Sequence, residues 1–330
     1  MDFDFQTALL SAQSLVREEL EQAEAVMQAV AQDAPPGTSE RLRHLMGRKG
    51  KRIRSTLLAL VAASGQAGDI SRISHACASV ELLHLASLVH DDIIDGTEIR
   101  RGARTAHKEW GSQVAVLVGD YLLSESMRCL LGDSDKRVLE VLSKAANRLI
   151  VGEIQELDNT GNTELTSDDY LSIIWGKTAA LLDASAKLGA LIAGFDDALL
   201  DKCGKMGAYF GIAFQIIDDL LDFGYGAKNL DKAKFTDLAN GLMTLPLILY
   251  LEGAAKEAKL EMLALVARAS EDGVPEAICE RLQTSGVFER VKKIAVSYLD
   301  TATDLANELP SGQISEQLGL LFSQMSNRTN

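Results

Sequence analysis

The chain has 330 residues, 47% of them hydrophobic and 24% charged. Acidic residues outnumber basic ones by 47 to 33, which gives a formal net charge of −14. That balance argues against the broad basic face of a nucleic-acid-binding protein. Only 5% of the residues are aromatic, and Ala and Leu dominate over Val, Ile and Tyr. This composition favours helices over strands.

The cysteines and the apolar stretches indicate the cellular compartment. Cys77, Cys129, Cys203 and Cys279 stand far apart without a Cys-x-x-Cys pair, so we interpret them as buried thiols in a reducing compartment. The N-terminal residues are acidic where a secretion signal needs basic ones. The least polar long stretch, residues 176–195, contains three charged side chains and does not fit a membrane span. We therefore expect a cytoplasmic protein with no transmembrane segment.

Apolar residues recur at helical spacing along most of the chain. The predicted helices cover residues 7–31, 51–64, 69–95, 110–131, 135–160, 167–194, 198–222 and 237–254, and two or three more follow. Asp69 or Ser71 is predicted to cap the third helix, and Ser167 to begin the sixth. Residues 33–38 are predicted to end the first helix.

The remaining segments are predicted to be loops. They include residues 96–104, about fifteen residues after Phe223, and a helix–helix connection at Asp272-Gly273. Strand signals are nearly absent, and we find no linker, low-complexity segment or repeat. We therefore predict an all-α fold in which residues 1–330 form a single domain.

Two similar acidic clusters interrupt the apolar helices, DDIID at residues 91–95 and DDLLD at residues 218–222. In each cluster the first and last carboxylates lie one turn apart on the same helix face. Like charges at that spacing destabilise a helix, so a compensating cation is expected. Mg²⁺ binds one or two carboxylates and completes its shell with water and phosphate oxygens. We favour Mg²⁺ sites around a diphosphate over solvated acidic turns, because the cluster occurs twice.

The segment RKGKRIR, residues 48–54, contains five basic residues in an otherwise acidic chain. Lys51 and Arg54 share a face if they open a helix, and Gly50 leaves room for a phosphate. A nucleic-acid or nuclear-targeting tract is the alternative. We disfavour it because the segment leads directly into the apolar stretch 56–63.

Three further polar features lie close to the acidic clusters in sequence or interrupt apolar helices. Arg100 and Arg101 follow the first cluster, and His84 precedes it by seven residues, nearly two turns down the same face. Lys177 and Thr178 interrupt an apolar stretch. Alone, His84 would be interpreted as a buried core histidine and Lys177 as a lysine reaching the surface.

Taken in order, these motifs resemble the trans-isoprenyl diphosphate synthases, or polyprenyl synthetases. The similarity runs from Gly50 to about Tyr250 and implies an antiparallel helix bundle around a deep central cavity, usually dimeric. The matching motifs are GKRIR (50–54), ELLHLASLVHDDIIDGTEIRRG (81–102), GD (119–120), GE (152–153), KT (177–178), FQIIDDLLDF (214–223) and TLPL (244–247).

The resemblance also implies roles for the matching residues. Those implied to hold the diphosphate of isopentenyl diphosphate are Lys51, Arg54, His84 and Arg101. Those implied to bind Mg²⁺ are Asp91, Asp95 and Asp218, with Asp92, Asp219 and Asp222 as second choices. Those implied to contact the allylic substrate are Arg100, Lys177, Thr178, Gln215 and Lys232. The implied catalytic set is Asp91, Asp95, Lys177 and Asp218.

The implied activity is a Mg²⁺-dependent, head-to-tail trans addition of five-carbon units. Positive charge assists the departure of the allylic diphosphate, and the double bond of isopentenyl diphosphate attacks the cation that results. The new cation then loses a proton, which the resemblance implies the departed diphosphate accepts. A homodimer is implied, and a heteromer is possible. A terpene cyclase would not need the Lys51, Arg54 and His84 site, and a non-catalytic partner subunit would lose aspartates.

Some positions differ from the family pattern. Lys49 replaces a usual glycine and Ser55 a usual proline in the basic motif. After the second acidic cluster, Thr236 and Leu242 replace usual lysines. The changes at Thr236 and Leu242 concern closure over the allylic diphosphate more than the metal sites.

The residues before the first acidic cluster predict the product length. In this family, large aromatic residues four or five positions before the motif stop growth at fifteen or twenty carbons. Here those positions are Ser87 and Ala86, and further upstream are Leu83 and Val80, the latter about 16 Å along the helix from the cluster. We therefore expect a product of about thirty carbons or more, which would pass to the membrane, with a short-chain product as the alternative.

Overall fold

The computed structural model describes residues 4–47, 50–65, 69–100, 102–225 and 235–328. Within these ranges the chain is almost entirely helical, which confirms the predicted all-α class. The helices are α1 Phe5–Leu15, α2 Arg17–Asp33, α3 Pro36–Met46, α4 Ile53–Ala63, α5 Ile70–Ile94, α6 Ala106–Trp110, α7 Ser112–Arg128, α8 Arg137–Asp158, α9 Ser167–Ile174, α10 Ala180–Ile192, α11 Asp197–Asp222, α12 Thr236–Ala239, α13 Leu245–Gly253, α14 Lys256–Val266, α15 Val274–Thr284, α16 Val287–Ala306 and α17 Gly312–Met325.

The two longest helices carry the acidic clusters at their C-terminal ends. Asp69 caps α5 by accepting a hydrogen bond from the Ser71 N–H at 2.9 Å, as predicted. Asp196 caps α11 in the same way, accepting from the Leu199 N–H at 2.9 Å. Both helices therefore have fixed starts, and their last turns present the carboxylates.

Several predicted helices are divided. Val16 breaks the predicted helix 7–31 with φ −127° and a fully buried side chain. Residues 36–46, predicted to follow the end of a helix, form α3 instead. Within residues 167–194, a π-helical turn, Trp175–Ala179, separates α9 from α10. Thr166, one residue before the predicted start, caps α9.

Within the predicted loop 96–104, described residues form a short hairpin with two residues in each strand. Strand β1, Ile99–Arg100, pairs antiparallel with β2, Ala103–Arg104. The Asp272-Gly273 connection is a helix–helix loop as predicted, with Gly273 at φ +80° just before α15. Four helices follow residue 255 in place of the predicted two or three.

The core is centred on α4 and α10, which are buried on most sides. Residues 57–62 of α4 are fully inaccessible to solvent, so this helix packs against neighbours on every face, as apolar burial favours. The main buried cluster takes side chains from Phe5 at one end of the chain to Met325 at the other. Helices α5, α8 and α11 pack around this centre, α7 packs on α5, and these four helices carry the site.

Two further sequence expectations concern thiols and membrane spans. All four cysteines are free; three are buried as predicted, whereas Cys129 is only half-buried because it lies just beyond the end of α7. Among the helices of the described ranges, none has the length and apolar character needed to cross a bilayer.

Candidate active site

A polar cavity of about 510 Å³ lies where α5, α8, the π-helical turn and α11 meet. Its wall carries charged side chains of both signs. These are Asp95, Arg100, Glu156, Lys177, Asp219 and Asp237, together with Gln215. Such a mixture can bind a polyanion together with cations.

Lys177 enters this cavity because α8 and the π-helical turn approach unusually closely. Gly152 and Gly176 make the contact: a Cβ on Gly152 would lie 2.5 Å from the Lys177 backbone nitrogen. The Lys177 ammonium therefore reaches two carboxylates of α8, with Glu153 Oε2 at 3.1 Å and Glu156 also in contact. The glycine of the GE motif thus positions the lysine, and π-helical turns often occur at functional sites.

A chain of hydrogen bonds joins the Lys-Thr motif to the second acidic cluster. The Thr178 hydroxyl donates to Gln215 Oε1 at 2.7 Å, and Gln215 Nε2 donates to Asp219 Oδ1 at 2.8 Å. The buried Tyr170 hydroxyl donates to Asp219 Oδ2 at 2.5 Å. Because both Asp219 oxygens are engaged, this carboxylate orients its neighbours and is poorly placed to be a direct metal ligand.

The three carboxylates of the first acidic cluster lie in different environments. Asp92 is buried and accepts a hydrogen bond from Arg100 Nε at 2.6 Å. Asp95 lines the polar cavity. Burial raises the pKa of Asp91 to about 7, nearby Glu153 adds to the rise, and Lys177 opposes it. Asp91 thus carries a poorly compensated charge.

The carboxylates of the second acidic cluster also lie in different environments. Asp222 accepts hydrogen bonds from the N–H groups of Thr236 at 3.1 Å and Asp237 at 3.2 Å, so it holds the start of α12. Asp218 is half-exposed and lies outside the cavity wall, where it forms an ion pair with Arg328. Asp218 is thus the exposed carboxylate of this cluster, and it lies near enough to Asp237 of the cavity to add to the rise in the pKa of that group.

Asp237 is an acidic group of the cavity that our sequence prediction did not include. Burial raises its pKa to about 7, Asp222 and Glu156 add to the rise, and Lys177 opposes it. Lys177 opposes the rise at both Asp91 and Asp237, so its charge lies within electrostatic range of both groups. Glu156 and Tyr170 were also missed, since neither belongs to a repeated or periodic pattern.

The donor set fits Mg²⁺ held jointly by protein and diphosphate. Within the described ranges, no three His, Cys, Asp or Glu side chains lie close enough together to bind an ion by themselves. Mg²⁺, however, commonly takes only one or two carboxylates and shares the rest of its shell with phosphates and water. The raised pKa values of Asp91 and Asp237 reflect buried negative charge, which a divalent cation would compensate.

The basic segment is fixed to α5 one turn before His84. Arg52 Nη1 contacts Glu81 Oε2 at 3.1 Å, and the Ser55 hydroxyl donates to Glu81 Oε1 at 2.8 Å. Because Glu81 and His84 are three residues apart, they share a helix face. The buried Glu81 therefore brings the segment that carries Lys51 and Arg54 to the side of α5 that bears His84.

The remaining sequence candidates are Arg101 and Lys232. Both lie outside the described residues, as do Arg48 and Lys49 of the basic motif. Their roles stay as predicted from the resemblance.

An apolar groove of about 370 Å³ begins beside Asp91 and runs between α5, α7 and α8. Leu83, Ala86 and Ser87 line it from α5. Val80, one of the upstream residues expected beside the growing product, is fully buried in the core and is absent from the lining. Gly119 lets α7 approach α5, since a Cβ there would lie 2.1 Å from His90 Nε2. The groove can hold an apolar chain, and it lies close to the polar cavity, since Asp91 of the groove and Asp95 of the cavity are about one helical turn apart.

Comparisons with known proteins agree with this arrangement. Residues 36–282 match the family model for polyprenyl synthetases. Component 2 of heptaprenyl diphosphate synthase from Bacillus subtilis is 31% identical over 319 residues, 96% of this chain and 90% of that protein.

Two solved structures superpose over nearly the whole chain. A decaprenyl diphosphate synthase from Rhodobacter capsulatus has a TM-score of 0.92 and 30% identity, covering 98% of this chain and 99% of that one. A polyprenyl synthase from Caulobacter crescentus, complexed with calcium and isoprenyl diphosphate, has a TM-score of 0.88 and 28% identity, covering 98% of each chain. With the family model matching most of its length, the chain belongs to the polyprenyl synthetase family and is a trans-prenyltransferase.

Proposed function

We propose that this prenyltransferase adds isopentenyl diphosphate to an allylic diphosphate in a Mg²⁺-dependent reaction and makes a long-chain product. The observation that carries the proposal is the proximity of a polar cavity and an apolar groove: Asp91 lines the groove, and Asp95, about one helical turn further along the chain, lines the cavity. A diphosphate fits the charged cavity, and a growing hydrocarbon fits the groove.

The protein side chains have distinct tasks in this reaction. Lys177 and Arg100 supply positive charge at the cavity wall where the allylic diphosphate leaves. The hydrogen bonds from Thr178 through Gln215 to Asp219 hold in place the part of the cavity wall that α11 forms. Mg²⁺, when bound at Asp91, Asp95 and Asp218, supplies further charge that stabilises the leaving group. No protein nucleophile is needed.

The reaction is tested with radiolabelled isopentenyl diphosphate and farnesyl diphosphate in the presence of Mg²⁺. Labelled polyprenyl diphosphate longer than the primer supports the proposal. A cyclised hydrocarbon made from farnesyl diphosphate, with no label from isopentenyl diphosphate, would indicate a terpene cyclase. Absence of turnover that is restored by a second polypeptide would indicate a subunit of a heteromeric synthase, the arrangement that the name of the Bacillus subtilis relative favours.

His84 is proposed to bind the diphosphate of isopentenyl diphosphate together with Lys51 and Arg54. Changing His84 to alanine is expected to raise the Michaelis constant for isopentenyl diphosphate by roughly tenfold, because one charge-assisted hydrogen bond to the substrate is lost. The Michaelis constant for the allylic primer should change much less, because Lys177 and Arg100 lie at the other site. Steady-state kinetics with each substrate varied in turn measure both. Equal increases would assign His84 a structural role in α5.

The chain is proposed to form a homodimer through an apolar face of α7 and α8. Leu117 is 68% exposed, and Ile150 and Ile154 are each about half exposed. Exposed apolar residues clustered in this way mark interaction sites. Ile150 and Ile154 also line the apolar groove, so a second copy on this face would cover its open side.

The dimer is tested by light scattering after gel filtration. The wild-type protein is expected at twice the mass of one chain, and the double variant Leu117→Glu, Ile154→Glu at the mass of one. Leu260→Glu, at an equally exposed apolar residue of α14, is the matched control and should remain dimeric. A monomeric wild type would contradict the assignment.

The whole chain is proposed to be one domain located in the cytoplasm. The main buried cluster joins side chains from Phe5 to Met325, which supports cooperative folding of the two ends together. The buried thiols of Cys77, Cys203 and Cys279 fit a reducing compartment.

A further inference from the structure

The segment after α17 brings a cation to the second acidic cluster. Arg328 lies three residues past the end of α17, and its Nη2 is 2.9 Å from Asp218 Oδ1. The guanidinium carbon lies 4.9 Å from the centre of the Phe214 ring, within range of a cation–π contact. Arg328 therefore pairs with the exposed carboxylate of the cluster.

This contact continues the packing of α17 on α11. Phe210, Phe214 and Asp218 follow each other at four-residue spacing on one face of α11. Phe322 of α17 packs on Phe210 with ring centres 4.7 Å apart. Beyond α17, the N–H of Arg328 donates to the Met325 carbonyl at 3.1 Å. The contacts made by α17 and Arg328 therefore follow one face of α11, from Phe210 through Phe214 to Asp218.

The guanidinium is desolvated but incompletely bonded. Its side chain is only 16% exposed, and Nη1 is buried with no hydrogen-bond partner among the described residues. A buried donor without a partner is destabilising. The guanidinium is therefore less stable in this position than a fully hydrogen-bonded one would be, so a divalent cation can compete with it for Asp218.

We propose that Arg328 is a positioning residue that holds Asp218 in the ligand-free enzyme and releases it when Mg²⁺ and a diphosphate bind. The inference rests on the proposed function, in which Asp218 is a Mg²⁺ ligand. The guanidinium and the metal compete for the same carboxylate. Linkage then requires that metal binding free the C-terminal segment, and that loss of Arg328 strengthen metal binding.

The competition is measured as Mn²⁺ binding in the presence of inorganic pyrophosphate, followed by electron paramagnetic resonance of the free ion. Arg328→Gln is expected to bind Mn²⁺ about two- to five-fold more tightly than the wild type, the range for a partly exposed ion pair. Arg328→Lys keeps the charge and should stay near the wild-type affinity. Arg268→Gln removes a surface arginine paired with Glu271 and should have no effect.

Hydrogen exchange of residues 324–328 provides the second readout. In the wild type, exchange there should rise when Mn²⁺ and pyrophosphate are added. In Arg328→Gln it should be high from the start and unaffected by the metal. The variant keeps the Phe322 contact with Phe210, so it should fold normally, which circular dichroism checks.

The two readouts separate this inference from the proposed function, since neither requires turnover. Equal Mn²⁺ affinity in the wild type and Arg328→Gln, or exchange that metal leaves unchanged in the wild type, would overturn the role of Arg328 alone. A wild type that binds no Mn²⁺ with pyrophosphate would overturn both. A protein that binds metal as expected yet performs no condensation would overturn only the proposed function.

Discussion

Replacing Asp91 or Asp218 with alanine is expected to lower turnover by at least ~10²-fold, comparable to removing one electrostatic stabiliser of a transition state. The two residues belong to different helices, α5 and α11, so the expectation applies to each variant separately. Asp91 lies beside Glu153 with its pKa raised by burial, and Asp218 is exposed and forms an ion pair with Arg328. Neither is used to hold a helix start or an internal hydrogen-bond chain.

The measurement is the steady-state rate of condensation at saturating substrates and Mg²⁺. Asp300→Ala, at an exposed aspartate of α16, is the control for loss of one negative charge and should keep normal turnover. Asp91→Asn and Asp218→Asn preserve side-chain size and should be nearly as impaired as the alanine variants. Near-normal turnover in either alanine variant would contradict the metal assignment for that cluster.

The long helices of the site could be predicted because their local signals agree with their packing. Helix α5 has a capping aspartate, an apolar run and an acidic end, and all three lie where the sequence indicates. The division of the N-terminal helix could not be predicted, because Val16, where the helical backbone breaks, is apolar and fully buried and so continues the helical pattern. Pro36 was associated with a helix end, yet proline at the first turn starts α3.

The residue types of the site could be predicted from motif spacing, and the resemblance ranks Asp91, Asp95 and Asp218 above the other three aspartates. The physical reason for that ranking could not be predicted. Tertiary contacts supply it for Asp92 and Asp219, which are buried and hydrogen-bonded. The pairing of Lys177 with Glu156 likewise depends on the close approach of Gly152 to Gly176, which has no periodic signal.

The product of the wild-type enzyme is expected to contain about thirty carbons or more, and Ala86→Phe is expected to shorten it. Ala86 and Ser87 line the apolar groove one turn or more before Asp91. Their small side chains leave open the path that a chain must take away from the polar cavity. A phenylalanine at residue 86 would close that path without contacting the acidic clusters or Lys177.

Chromatography of the dephosphorylated products from labelled isopentenyl diphosphate measures the length. Ala86 is also packed in the core beside α7, so Ser87→Phe, at a half-buried position, provides a second test that disturbs packing less. Leu85→Phe adds bulk to the same helix outside the groove lining and should leave the length unchanged. In both groove variants the first condensation should proceed at close to the wild-type rate, because the charged cavity is intact. A wild-type product of only fifteen or twenty carbons, or groove variants with unaltered products, would show that residues 86 and 87 do not determine chain length.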